Sequence, residues 1–288
     1  MTHDTLTMMR TGEHERPPKA TELVLVDIDR TLIRTRALFE SAVTALGGAI
    51  EGVGGLTAEL YEVEAKEKGN AFDYLEWLYA RVGDERLRNA EAIMSILMEM
   101  HAGTDGRFDQ KFIDSVMIEG AFDLFTAIKD TKQALILLTA GGTVNQMVKV
   151  LLLQEISREQ QARENERGSG RQYASLESFM IIDNNKQYKA KLASKCVDER
   201  DSSFDIEPLV AHASLYGGID GDSYTDIAMT WVIDDKLVNT DSSSSEVEGV
   251  LVYIEGDPDK READEPARDP YQRTSLQDVT TFLRERSA

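Results

Sequence analysis

The chain has 288 residues, of which 41% are hydrophobic and 29% are charged, and its formal net charge is −20. This composition is ordinary for a globular protein and excludes a collagen-like or wholly disordered chain. The excess of acidic residues argues against a nucleic-acid polymer or an anionic membrane surface as a partner, because both attract a basic face.

The beginning of the chain and its cysteine content bear on its compartment. Residues 1–20 are polar and contain the Pro17-Pro18 pair, so they are interpreted as a flexible N-terminal leader. They lack the apolar run of a secretory signal. No run approaches the roughly 20 apolar residues that span a bilayer. The single cysteine, Cys196, excludes a disulfide framework. We therefore expect a cytoplasmic protein.

Five short apolar runs, separated by segments long enough to hold helices, predict the strands of a sheet. They do not alternate between polar and apolar residues, which is typical of parallel strands that are covered on both faces. The expected fold is therefore an α/β, doubly wound parallel sheet. The predicted strands are Leu23–Val26, Ala134–Leu138, Phe179–Ile182, Leu215–Ile219 and Val250–Ile254.

More than a hundred residues separate the first two predicted strands. The apolar residues of this interval follow helical spacing, as in the stripe of Leu38, Ala42, Ala45, Leu46 and Ala49. One crossover helix does not need so much chain, so we predict an inserted, all-helical subdomain at residues 37–115. The catalytic core would then comprise residues 21–36 and 116–288.

Three further segments carry structural predictions. Ser157–Gln172 is almost wholly polar and Glu255–Pro270 is acidic and rich in proline, so both are predicted to be solvated loops. A last helix is predicted to start near Thr274, with Thr274 and Gln277 as a candidate capping box and with Leu276, Val279 and Leu283 as its buried stripe.

Asp27 and Asp29 follow the first predicted strand directly. Ligands of open α/β sheets bind at the carboxyl edge, and two carboxylates there can act as nucleophile and as general acid and base. The alternatives are an Asp-rich turn in an acidic chain and a calcium loop. The calcium loop fails because Leu38 stands where its bidentate acid is needed.

Three more polar clusters follow later predicted strands, and each has a purely structural alternative. Thr139-Ala140-Gly141 would bring a hydroxyl and backbone N–H groups to an anion, but it could equally be an ordinary turn. A lysine of the Asp183–Lys191 segment could neutralise a phosphate, or simply belong to a solvated helix face. Asp222 and Asp226 lie one helical turn apart and suit Mg²⁺, although Asp222 could instead cap a helix.

The order of these clusters, Asp-Xaa-Asp-Xaa-Thr, then Thr, then Lys, then Gly-Asp-Xaa-Xaa-Xaa-Asp, resembles that of the haloacid dehalogenase (HAD) superfamily of phosphohydrolases. The resemblance extends from about residue 21 to residue 254. The position of the helical insertion matches the C1 cap of that superfamily. The resemblance therefore implies a HAD-like Rossmannoid core with an inserted cap.

The resemblance also implies roles for individual residues. Asp27 would be the nucleophile, Asp29 the general acid and base, and Asp222 and Asp226 would form the Mg²⁺ site together with Asp27 and the main-chain carbonyl of Asp29. Thr139 would hold the phosphoryl oxygens. The third-motif lysine would be Lys189, with Lys186 as the alternative. Substrate binding would further involve Thr31, Ala140, Gly141 and Lys186.

One position departs from the superfamily pattern. Arg30 stands where a glycine is most common, and a non-glycine residue does not adopt a left-handed backbone cheaply. Arg30 is therefore not assigned a catalytic role.

These roles predict Mg²⁺-dependent hydrolysis of a small phosphorylated metabolite, a phosphate monoester, through an aspartyl-phosphate. Asp29 favours a phosphate ester over a halide, because a halide leaves without a proton. The alternatives are a phosphotransferase or protein phosphatase of the same superfamily, and a non-catalytic HAD-like binding protein. The sequence does not indicate an oligomeric state.

Overall fold

The strands that the structure describes form one parallel sheet in the order β3-β2-β1-β4-β5. The computed structural model describes residues 22–68, 73–182, 229–234, 247–248 and 275–286. Because β1 is central and the chain winds outward from it in both directions, the prediction of a doubly wound α/β sheet is confirmed. The strands are β1 Glu22–Val26, β2 Ala134–Ala140, β3 Phe179–Ile182, β4 Met229–Ile233 and β5 Val247–Glu248.

The first three strands lie where the apolar runs predicted them, and β4 corresponds to none of the predicted strands. On the side of β1 away from β2, the neighbouring strand is β4 (Met229–Ile233). It pairs with β1 from Glu22↔Met229 to Val26↔Ile233. Its run of apolar residues is short and contains a threonine, so its pattern is weak. The predicted strands Leu215–Ile219 and Val250–Ile254 lie outside the described residues.

Helices fill the interval between β1 and β2, as predicted from its apolar spacing. The buried residues of the first of them include Leu38, Ala42 and Leu46 from the predicted stripe. The helices are α1 Thr35–Ala49, α2 Ala58–Lys68, α3 Tyr74–Val82, a 3₁₀ turn Glu85–Arg88, α4 Ala90–His101, α5 Gln110–Val116 and α6 Ala121–Asp130.

A single long helix, α7 (Thr143–Arg167), follows β2 and overturns one prediction. The polar segment from Ser157 was predicted to be a loop, but residues 157–167 are helical. The segment is polar because its partner is polar: the Glu159 carboxylate accepts the backbone N–H of Phe108 at 2.9 Å, and Arg163 donates to the Phe108 carbonyl at 2.7 Å. These contacts join the helical insertion to α7.

The last helix, α8 (Leu276–Arg286), is capped one residue later than predicted. The Ser275 hydroxyl accepts the N–H of Asp278 at 3.1 Å and thereby satisfies an otherwise open donor of the first turn. Thr274, the predicted cap, lies outside the described residues. The expected buried stripe of Leu276, Val279 and Leu283 is confirmed, since all three are fully buried.

Apolar side chains of the insertion and of the sheet belong to one continuous hydrophobic cluster. Val24 and Val26 of β1 share it with Leu38 of α1, Leu78 of α3 and Leu97 of α4. The insertion is therefore anchored over the sheet by burial of apolar surface. In the described part of the chain, no helix has the length and apolar character needed to cross a membrane.

Candidate active site

The carboxyl end of β1 lies at the topological switch point of the sheet, where the order of the strands reverses. From β1 the chain passes to β2 on one side, whereas β4 flanks β1 on the other. Ligands of open α/β sheets bind in the crevice at such a switch point. Asp27 lies directly at this end of β1, is 5% exposed, and donates its backbone N–H to the Ile233 carbonyl of β4 at 2.8 Å.

Asp234, which follows β4, is a residue that the sequence analysis did not single out. It is 4% exposed, and it succeeds Ile233, the strand partner of Val26. Asp27 succeeds Val26, so two buried carboxylates leave neighbouring strands side by side. The signal in the sequence was an aspartate directly after the apolar Trp231-Val232-Ile233, but without the strand assignment it was not recognised.

The chain turns sharply after Asp27, and the turn carries Asp29. The Ile28 carbonyl accepts the N–H groups of Leu32 and Ile33, and the Arg30 N–H donates to the Ile33 carbonyl at 2.9 Å. Arg30 has a φ of 64°, so the position where glycine is common in the superfamily does adopt a left-handed backbone, at a steric cost to arginine. Thr31, predicted to bind substrate, is fully buried, and its hydroxyl has no hydrogen-bond partner among the described residues.

Three side chains donate hydrogen bonds to the Asp29 carboxylate. The Lys149 ammonium lies 2.5 Å from Oδ1 and the Thr35 hydroxyl 2.8 Å from the same atom, while the Gln146 amide is 3.1 Å from Oδ2. Lys149 is 3% exposed and the Asp29 side chain 19%. A buried ammonium needs such a partner, and the three donors fix the orientation of the Asp29 carboxyl group.

Thr139 lies at the end of β2 and is connected to Asp29 through Gln146. The fully buried Thr139 hydroxyl donates to Gln146 Oε1 at 2.9 Å, and Gln146 Nε2 also donates to the Ala140 carbonyl at 3.2 Å. Gly141 has a φ of 147°, and a Cβ there would collide with the Gln146 amide. A glycine is therefore required for the contact between this loop and α7.

Gln146 and Lys149 were missed by the sequence analysis. They lie three residues apart on α7 and so share one face of the helix. The available signal was a lone lysine within the apolar run Met147–Leu153, because a charged residue in a buried helix face requires a partner. The sequence does not identify that partner, since Lys149 and Asp29 are 120 residues apart.

Four of the predicted site residues lie outside the described residues: Lys186, Lys189, Asp222 and Asp226. Their roles stay predictions. Within the part of the chain that the structure describes, no group of three or more His, Cys, Asp or Glu side chains could hold a metal ion. The oxygen donors of Asp27 and Asp234 are of the kind that Mg²⁺ prefers, so two side chains of the described set fit this ion.

The helical insertion reaches the same loop through the start of α3. Asp73 caps α3, and its Oδ1 accepts the N–H groups of Leu75 at 3.1 Å and Glu76 at 3.2 Å. A Cβ at position 142 would overlap Asp73 Oδ2, so the absence of a side chain at Gly142 permits the contact. Burial raises the pKa of Asp73, while the Lys149 ammonium acts in the opposite direction.

Comparisons with solved structures find HAD-family hydrolases at low identity. The chain is similar to the HAD hydrolase, family IA, variant 3 from Entamoeba histolytica (15% identity, TM-score 0.42, covering 92% of this chain and 99% of that one). It is also similar to a haloacid dehalogenase-like family hydrolase from Xanthomonas campestris (14% identity, TM-score 0.32, 94% and 99% covered). A third is the putative HAD-hydrolase YfnB from Bacillus subtilis, bound to magnesium (14% identity, TM-score 0.35, 92% and 99% covered).

No protein-family model and no curated protein matches this chain. The three solved structures have TM-scores of 0.32 to 0.42 against this chain. At TM-scores below 0.5 they add no argument about the residues of the site.

Proposed function

We propose that this protein is a Mg²⁺-dependent phosphohydrolase that cleaves a small phosphate monoester, with Asp27 as the nucleophile. The proposal is supported chiefly by one observation. A buried aspartate lies at the switch point of the sheet, next to a second aspartate that is bound by a buried lysine, a threonine and a glutamine.

Asp27 has the burial and the position that a nucleophilic carboxylate needs. It is 5% exposed, so few water molecules compete with its attack on phosphorus. Attack on a phosphate dianion by an anion requires nearby positive charge. Lys149, which contacts Asp29, would contribute to that positive charge, and α7 begins at Thr143 without a side-chain cap, so its open N–H groups would be available to phosphate oxygens.

Asp29 is suited to moving protons between solvent and the leaving oxygen. Its side chain is 19% exposed, whereas its oxygens are oriented by Lys149, Thr35 and Gln146. In the first step it would protonate the leaving alcohol, and in the second its ionised form would take a proton from the water that attacks the aspartyl-phosphate. Thr139 would act through Gln146, which its hydroxyl contacts.

A divalent ion would bind at the carboxylates of Asp27 and Asp234. Two buried carboxylates on neighbouring strands repel each other, and a cation between them relieves that repulsion. Bound Mg²⁺ would lower the repulsion between Asp27 and the phosphate. The main-chain carbonyl of Asp29 and the predicted ligands Asp222 and Asp226 would complete its oxygen shell.

Turnover of p-nitrophenyl phosphate, with and without Mg²⁺, tests the proposal. We expect hydrolysis that EDTA removes and added Mg²⁺ restores. Asp27→Asn should lower kcat at least about 1,000-fold, as expected for loss of a nucleophile. Asp130→Asn, at the end of α6, is the matched control and should retain full activity.

Two outcomes would contradict the proposal. Turnover that survives Asp27→Asn at the original rate would mean that Asp27 is not the nucleophile. A wild-type protein that is inert across a panel of phosphomonoesters would favour the non-catalytic binding protein.

A further inference from the structure

Tyr74, the first residue of α3, carries a buried hydroxyl group. The residue is 2% exposed, and its ring packs against Phe39 with 4.5 Å between the ring centres. The hydroxyl has no hydrogen-bond partner within the described part of the chain. Buried hydroxyl groups normally have a partner, so a phenylalanine would satisfy the packing equally well.

Tyr74 follows Asp73, whose carboxylate lies against Gly142, and its ring packs on Phe39, one helical turn after Thr35, whose hydroxyl donates to Asp29. Burial raises the pKa of Tyr74, and the negative charges of Asp73 and Asp29 act in the same direction. Tyr74 therefore remains a hydrogen-bond donor at neutral pH.

Asp73 adds an acceptor beside this donor. One of its oxygens caps α3, while the other lies against Gly142, where α7 begins. A carboxylate at this point attracts a hydroxyl or an ammonium group of the substrate. It repels a second anionic group of the substrate. The same carboxylate therefore disfavours binding of substrates that carry a further acidic group and favours binding of neutral ones.

We propose that Tyr74 and Asp73 bind the alcohol part of the substrate and select phosphate monoesters of hydroxylated or amino alcohols over those that carry a further anion. This inference rests on the proposed phosphohydrolase function. The insertion would thus contribute specificity at two neighbouring residues, where the start of α3 meets the loop after β2. The hydroxyl of Tyr74 would donate to an oxygen of the substrate, and Asp73 would accept from its hydroxyl or ammonium group.

Two substrates of nearly the same shape test this selection. Glycerol 3-phosphate ends in a hydroxymethyl group, and 3-phosphoglycerate ends in a carboxylate. We expect wild-type kcat/KM to be at least about tenfold higher for glycerol 3-phosphate, the effect of one good hydrogen bond gained or lost. Asp73→Asn keeps the cap of α3 and should bring the two values together.

Tyr74→Phe should act on binding rather than on chemistry. We expect KM for glycerol 3-phosphate to rise about tenfold, kcat to change little, and phenyl phosphate to be hardly affected, because it lacks the extra hydroxyl. Two variants of the insertion serve as controls. Tyr79→Phe removes a hydroxyl that donates to Glu85, and Asp84→Asn changes another helix-capping aspartate.

Calorimetric binding keeps the inference separate from the activity. In the Asp27→Asn background, glycerol 3-phosphate should bind more tightly than 3-phosphoglycerate, and the added Tyr74→Phe change should weaken it about tenfold. Equal binding of both ligands, or variants that change all substrates alike, would overturn the selection while leaving the hydrolase intact. Inert protein that still discriminates between the ligands would overturn the proposed hydrolysis alone.

Discussion

Arg30 occupies a backbone conformation that its side chain makes costly. Its φ is 64°, and this left-handed conformation costs a non-glycine residue about 1–2 kcal/mol. Glycine avoids that steric cost, but it loses more conformational entropy on folding, which offsets part of the gain. We therefore expect Arg30→Gly to raise the free energy of unfolding by about 0.5 kcal/mol. Urea denaturation of the variant and the wild type measures this difference.

Glycine substitutions at two other positions serve as controls for Arg30→Gly. Lys132 has a φ of 58°, so Lys132→Gly should also stabilise the protein. Lys129 lies inside α6, where glycine should destabilise by about 1 kcal/mol. Destabilisation by Arg30→Gly would mean that the guanidinium makes contacts worth more than the backbone strain.

The role of Lys149 can be tested by substitution. Its ammonium contacts Asp29, so Lys149→Met should lower kcat/KM for p-nitrophenyl phosphate about 100-fold, as loss of a single electrostatic donor does in other enzymes. The change also leaves a partly buried carboxylate without its ion-pair partner, which should cost up to about 3 kcal/mol of stability.

Lys149→Arg separates charge from shape. It keeps a positive group near Asp29, so it should retain more activity than Lys149→Met at matched folded fraction. If both variants kept wild-type kcat/KM while Asp27→Asn was inactive, Lys149 would serve only the fold.

At the scale of elements, the contact between the insertion and α7 depends on pH. Glu159 is 6% exposed, and burial raises its pKa above the ordinary value of 4.5. The folded state therefore binds this proton more tightly than the unfolded state does. The stability that comes from this group is full below about pH 4.5 and is lost as the pH rises through the raised pKa.

Glu159→Gln removes this titration, while its amide oxygen can still accept the Phe108 N–H. The stability of the variant relative to the wild type should therefore increase from about pH 4.5 to about pH 8, as urea denaturation at both values would show. Glu166→Gln is the matched control of opposite sign, because Arg107 lowers the pKa of Glu166. A Glu159→Gln difference that stayed constant with pH would refute the argument.

At the scale of the whole molecule, the insertion and the sheet share one hydrophobic cluster. The chain has two tryptophans, Trp77 in α3 and Trp231 in β4, so each part carries its own fluorescent reporter. Single-tryptophan variants, Trp77→Phe and Trp231→Phe, should therefore show urea transitions that coincide with each other and with circular dichroism. A Trp77 signal that changed at lower urea would mean that the insertion unfolds separately.

The sequence by itself determined the local elements and the residues that directly follow them. Apolar runs predicted β1, β2 and β3, and their ends located Asp27, Asp29 and Thr139. Spacing within a helix predicted the buried stripe of α8. These features depend on neighbours a few positions apart, so hydrophobic periodicity is enough to find them.

Only the tertiary structure decided which distant segments meet at that edge of the sheet. It places Lys149 and Gln146 beside Asp29, and Asp73 against Gly142. It also places Asp234 at the end of β4, the strand next to the one that Asp27 follows. It also makes the polar end of α7 a helix, because Phe108 of the insertion covers Glu159. Such contacts depend on strand order and on the rotation of packed helices, and neither is encoded in the spacing of residues along one segment.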